Sequence, residues 1–185
     1  MLQIPKESSV QLPLITGVAF IALGFFFFES LGAFLGHYAS DIRQWQIEEI
    51  QARPESIMQD GYPIYTVEQA ANIGARRLTF FHGHGYLMVL ATSVFLILIA
   101  LAPGVKPRIK GILMWVSLIA MLMYNIGWGV SGMLLPYLGV EESKTLSERL
   151  FFIPFGLTIV VVTGIIAFVY GVYAIRIFKN RKIIK

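Results

Sequence analysis

Four long apolar runs dominate the chain, at roughly 12–37, 80–102, 111–136 and 150–177, separated by polar stretches of unequal length. Crossing the hydrocarbon of a bilayer takes a helix of about 20 residues, and each run is long enough. The pattern predicts an all-α integral membrane protein. Residues 1–185 form one four-helix transmembrane domain, with a long outer segment, 38–79, between the first and second spans. The first run has neither the short apolar core nor the cleavage site of a removable signal, so it is expected to persist as a helix.

The polar stretches carry their own signals. Asp41 to Arg53 can continue the first helix beyond the membrane, with Pro54 as a stop. Gly61-Tyr62-Pro63 marks a turn. Thr66-x-x-Gln69 has the form of a capping box, opening a helix that can run directly into the second span. Pro103-Gly104 ends that span, and the short basic turn to Lys110 forces the third span to lie antiparallel beside it. Pro136 is expected to close the third span. The fourth is expected to begin near Ser147-Glu148, to kink at Pro154 and to leave the membrane at Arg176.

Composition agrees: 56% of residues are hydrophobic, and the mean hydropathy is +0.69. Charge placement adds an orientation. Lys6, Lys106, Arg108, Lys110, Arg176, Lys179, Arg181, Lys182 and Lys185 fall on one side, with Glu7 the only acid there. The segments 38–79 and 137–149 on the other side carry six basic and nine acidic residues. The positive-inside rule then puts both termini in the cytoplasm and the chain in the cell's inner membrane. The net charge of +4 follows from this topology and does not indicate nucleic-acid binding. The basic C-terminus suits anionic lipid head groups. With no cysteine there is no disulfide, thiolate ligand or thioether attachment.

The candidate chemistry gathers at one depth. His82 and His84 stand two residues apart at the start of the second run. On a helix this rotates them by roughly 200°, so they address opposite flanks and cannot share one ion from one side. Glu29 follows four phenylalanines in the outer half of the first span, where an unpaired charge is costly. It is either a proton or quinol group, a partner to a cofactor-bound cation, or a protonated carboxyl facing another helix. His37, two turns later, is an interfacial polar residue or a further ligand. Arg76 and Arg77, outward of the histidines, offer forks suited to the carboxylates of a ligand, or anchor the interface. Tyr124, Asn125 and Trp128 lie at matching depth on the third span. Gly127, Gly129 and Gly132 there leave space for something flat or for a close neighbour helix. A structural zinc site wants four ligands, more than three histidines without cysteine provide, whereas a haem takes one or two.

Phe81-His82-Gly83-His84-Gly85-Tyr86 resembles the His-x-His of subunit I of the haem-copper oxidases and nitric oxide reductases. There one helix supplies axial ligands to two haems on its opposite sides, and a four-helix chain resembles one arc of that subunit. A more distant resemblance, carried by Ala75-Arg76 ahead of His82 and by Tyr124 and Asn125, is to styrene oxide isomerase, a trimeric four-helix membrane protein with haem b between subunits. Ala75-Arg76 stands further from His82 than that pattern requires. The oxidases also need three copper-binding histidines, and only His37 remains after His82 and His84 are used, which excludes oxygen reduction at a haem-copper pair by this chain alone.

Together these imply a homotrimeric b-type cytochrome. Haem b would sit at subunit interfaces, ligated by His82 of one chain and His84 of the next, with Arg76 and Arg77 on its propionates and Trp128 against it. It would carry electrons, with a quinol or a periplasmic carrier as partner. The alternatives are a haem-dependent Lewis-acid enzyme of the isomerase type, using Tyr124 or Asn125, and a cofactor-free structural or assembly protein.

Overall fold

Glycines on the first helix and bulky side chains on the second set how the spans meet. The computed structural model describes residues 8–181, so Lys6, Glu7, Lys182 and Lys185 of the charge pattern lie outside the described residues. Helix α1 (Ser8–His37) runs antiparallel to α3 (Val67–Leu101). A Cβ on Gly17, Gly24 or Gly32 would overlap Leu96, Val89 or His82 respectively. Steps of seven and eight residues on α1 thus receive steps of seven on α3, and backbones without side chains let the helices approach closely. One knob points the other way, with Phe28 of α1 seated on Gly85. Gly36, one turn beyond Gly32, meets nothing within 4 Å and takes no part in this contact.

Tyr38 interrupts the helix for one residue. α2 (Ala39–Ala52) then continues outward, joined by backbone bonds from Tyr38 to Phe34 and from Ile42 to Tyr38. Pro54 opens a 3-10 turn, Pro54–Ile57. The strands β1 (Met58–Gln59) and β2 (Tyr62–Pro63) form a minimal antiparallel ribbon. Its turn residues, Asp60 and Gly61, both have positive φ, as the Asp-Gly sequence favours. The Thr66 capping box forms with both bonds, Gln69 N–H to Thr66 Oγ1 at 3.1 Å and Thr66 N–H to Gln69 Oε1 at 2.8 Å. Ile50 and Ile57 pack on Ala70, Ala71, Leu135 and Val140, which seats the outer segment on the end of the bundle. A second cluster toward the other end joins Leu96 and Ile99 of α3 to Met114 and Leu118 and to Val162 and Ile166 of the last span.

α4 (Pro107–Leu138) packs along α3. Lys110, read from sequence as a surface charge, is buried and donates from Nζ to the carbonyl of Ala100 at 2.8 Å, near the C-terminus of α3. Pro136 does not close α4, which runs two residues further to a reversal at Gly139, φ 89°. A proline there removes the N–H that would reach the carbonyl of Gly132. Gln46 of α2 is fully buried and supplies the replacement, Nε2 to Gly132 O at 3.4 Å.

The fourth span starts earlier than the hydropathy suggested. α5 (Val140–Ser147) leads through a wide π turn, Glu148–Phe152, into α6 (Ile153–Arg181). Glu141 and Glu142 sit in the first turn of α5, where the helix dipole favours acids. The π turn comes directly before Pro154, whose ring would clash with the carbonyl of Leu150 in a regular helix. Widening the turn is one way to relieve that clash. Four stretches, Leu14–His37, Val67–Leu101, Pro107–Leu138 and Val140–Lys179, are long and apolar enough to cross a membrane. The four helices fit a helical, multi-pass membrane protein.

Candidate functional site

The two histidines leave α3 on opposite flanks, and their surroundings differ. His82 belongs to the row His82, Val89, Leu96 that packs into the α1 glycines. Its ring lies edge-on to Tyr86 at 6.1 Å, and its Nδ1 is sealed from solvent without a hydrogen-bond partner. His84 lies between Phe80 and Met88 on the other stripe. It meets Trp128 at 5.4 Å with a 37° tilt, and Phe80 edge-on at 5.6 Å.

Phe80 and Met88 of that stripe, with Ile73, Arg76 and Arg77, form one wall of a cleft of about 1060 Å³ between α3 and α6, floored by Tyr124, Trp128 and Ser131 of α4. Lys144, Glu148, Phe152, Ile153, Gly156 and Val160 make the opposite wall. Trp128 meets Phe152 at 4.9 Å with a 44° tilt. The Trp128 Nε1–H is buried without an acceptor. Arg76 is exposed at the outer end of the cleft and lies over the Phe80 ring at 5.8 Å. Lys144 faces it from α5 and pairs loosely with Glu148 at 3.7 Å.

Arg77 behaves differently from its neighbour. It is 8% exposed and spends its guanidinium on Ser143 Oγ at 2.7 Å, the carbonyl of Val140 at 3.0 Å and that of Ser131 at 3.5 Å. Those contacts tie α3 to the α4–α5 reversal, and a fork of fixed donors suits three acceptors on two elements. Asn125 finds its partner in the Phe81 carbonyl, 3.1 Å from Nδ2, while its Oδ1 is buried and unpaired. Glu29 lies on an exposed face of α1, away from the cleft. His37 is exposed at the end of α1, edge-on to Tyr38 at 4.6 Å. Among the described residues no group of three or more His, Asp or Glu is placed to hold a metal ion.

The glycines of α4 do not leave a slot. Gly127 takes Phe151 and Phe152, Gly129 takes Phe81, and Gly132 takes Leu78. The structure therefore brings Trp128, Tyr124, Arg76 and Arg77 to one cleft, with His84 packed behind its Phe80 and Trp128, and separates His82, Asn125, Glu29 and His37 from it. Lys144, Glu148, Phe152 and Gly156 were missed from sequence. Their four-residue spacing was the available signal, hidden because the helix was expected to begin only at 147–148.

An iron porphyrin can be tested against both imidazoles. On the His82 side, Gly32 approaches so closely that a single added carbon would overlap the ring, so the α1–α3 seam has no room for a macrocycle. On the His84 side, the cleft volume, the aromatic floor and the cationic outer end match a flat apolar group bearing carboxylates. Of the two imidazoles only His84 adjoins this cleft, through Trp128 and Phe80. No family model matches the chain, nor does any curated protein or solved structure.

Proposed function

We propose that the protein is a membrane b-type cytochrome that binds haem b in the α3–α6 cleft through His84 and serves electron transfer. The observation that carries the reading is an imidazole packed against Trp128 and Phe80 of a large, aromatic-floored cleft with arginine at its outer end. Bound there, the haem would supply one-electron chemistry set by its axial ligands. The chain's own residues do the rest. Trp128 and Phe80 fix the plane of the His84 ring, Arg76 and Lys144 compensate carboxylates, and Phe152 and Val160 exclude water. The positive-inside pattern supports an inner-membrane location with both termini cytoplasmic, which puts the cleft in the outer half of the bilayer. Sharing of the cofactor by a closed oligomer such as a trimer is part of this reading.

One observation favours a second reading. His82 is packed in the seam, so only His84, against Trp128 and Phe80, adjoins the cleft. A haem held through His84 alone would supply Lewis-acid chemistry toward a small apolar substrate such as an epoxide. Tyr124 lines that cleft and Asn125 is spent elsewhere, so the tyrosine would guide the substrate oxygen. One optical spectrum of protein made with sufficient haem tests both. A low-spin spectrum indifferent to carbon monoxide and cyanide supports the carrier; a high-spin one that shifts with them supports the enzyme. Absence of a Soret band ends both.

A further inference from the structure

Charge along the bundle is more one-sided than the net charge suggests. Among the described residues every acid lies at Glu29 or further outward, with none between Glu68 and Glu141 and none after Glu148. The inner end nevertheless carries Lys106, Arg108, Arg176 and Lys179, all exposed, and neither ion pair among the described residues involves them. Lys110 is spent inside the fold on the Ala100 carbonyl. Four cations at this end thus have no acid of the described chain to offset them, and their neutralising charge comes from outside it.

Two of the four flank a cavity. The α3–α4 turn, Pro103 to Val105, and one face of α6 enclose about 500 Å³ at this end. Arg176 lines it, and Lys106 directly follows Val105 at its rim. Lys179 stands three residues beyond Arg176, hence on the same face of α6. Deeper along the span the wall is apolar, with Val169 and Val172, and Tyr173 marks the boundary with the charged part. Cations at the membrane surface above an apolar wall match an amphiphile with an anionic head, and basic pockets between spans on the cytoplasmic side take such head groups. A soluble anion would use the rim and leave the apolar wall unmatched.

We infer that this cavity binds one anionic phospholipid, its phosphate between Arg176 and Lys106 and the upper part of its acyl chains along Val169 and Val172. The site belongs to the α3–α4 turn and α6, and the basic residues after Arg181 have no part in it. Among the described side-chain hydrogen bonds, α3 and α6 are joined here by Tyr170, which donates to the Leu98 carbonyl at 2.9 Å. The bound head group adds a second tie between the same elements. This rests on the membrane part of the proposed function and is independent of the haem.

Native mass spectrometry of the full chain, purified in neutral detergent, counts bound lipid as phosphatidylglycerol or phosphatidylcholine is added. Phosphatidylglycerol should bind about 30-fold more tightly, because each of the two rim cations contributes roughly fivefold near an anionic head group. Arg176→Gln with Lys106→Gln, both at exposed positions, should remove most of that preference. Val172→Trp keeps every charge but fills the cavity, so it should weaken binding of phosphatidylglycerol. Lys182→Gln with Lys185→Gln removes the same charge from the tail and should leave binding unchanged. Equal binding of the two lipids, undiminished binding by Val172→Trp, or loss of binding in the tail variant overturns the inference. Displacement of the lipid by an equal concentration of inorganic phosphate would reveal a site for a free anion and overturns it too. Fractionation of the same cells tests the membrane reading separately: a chain found in membranes but without the lipid preference defeats the site alone, and a chain found in the soluble fraction defeats both.

Discussion

His82 and Arg77 both look like ligand-binding residues in the sequence, and both serve packing in the fold. The seam at His82 makes a direct prediction. Gly32→Ala pushes a methyl group into the imidazole and should cost about 1–3 kcal/mol, the usual range for overpacking a close contact. His82→Ala removes the obstacle, so the double variant should recover most of that loss in a thermal-denaturation cycle. Arg77→Ala removes the charged donor to Ser143 Oγ and to the carbonyls of Val140 and Ser131, at roughly 1.5–3 kcal/mol for a hydrogen bond from a charged group. Arg77→Lys should recover little, because a single ammonium cannot span three acceptors on two elements. What the sequence did reveal at this scale was which residues are polar inside the membrane. It hid their partners, since Ser143, Val140 and Gly32 are far away in the chain and unremarkable in type.

At the scale of elements, the capping box at Thr66 was legible because its chemistry is local, and Thr66→Ala should cost about 1 kcal/mol. The end of α4 was not legible. A proline two residues before a helix terminus reads as a stop, and only the buried Gln46 shows why the helix continues. Pro136→Ala restores the N–H that satisfies Gly132, so Gln46→Leu should be less damaging in that background than in the wild type. Paired stability measurements on the four proteins would show the coupling.

The outer segment also carries a pH-sensitive contact. Tyr65 donates from its hydroxyl to Glu141 Oε1 at 2.8 Å, and this bond, with burial and the nearby carboxylate charge, raises the phenol above its ordinary 10.0. The folded state then holds its proton more tightly than the unfolded one. The stabilisation is complete below about pH 10 and is lost as pH rises through the folded value. Tyr65→Phe should flatten that alkaline decline, measured as thermal midpoint against pH.

For the molecule as a whole, the four spans, the short turn between α3 and α4, and the antiparallel pairing were readable from run lengths alone. The cleft was not, because it depends on α6 packing against α4 while leaving the Ile73–Met88 stretch of α3 uncovered. Topology gives an independent check in a protein without cysteine. A thiol placed at exposed Gln59 should react with an impermeant reagent from outside intact cells, and one at exposed Lys179 only after permeabilisation.

The wide turn at Glu148–Phe152 links these scales. In a regular helix, each residue added or removed rotates everything beyond it by about 100°. The extra width inserts a phase shift between two halves with separate obligations: α5 must keep Ser143 under the Arg77 fork, while α6 must aim Gly156 and Val160 at the indole floor. A strictly regular rod would satisfy one azimuth and spoil the other. Deleting a single residue there should therefore uncouple the anchor from the binding wall while leaving both helices intact.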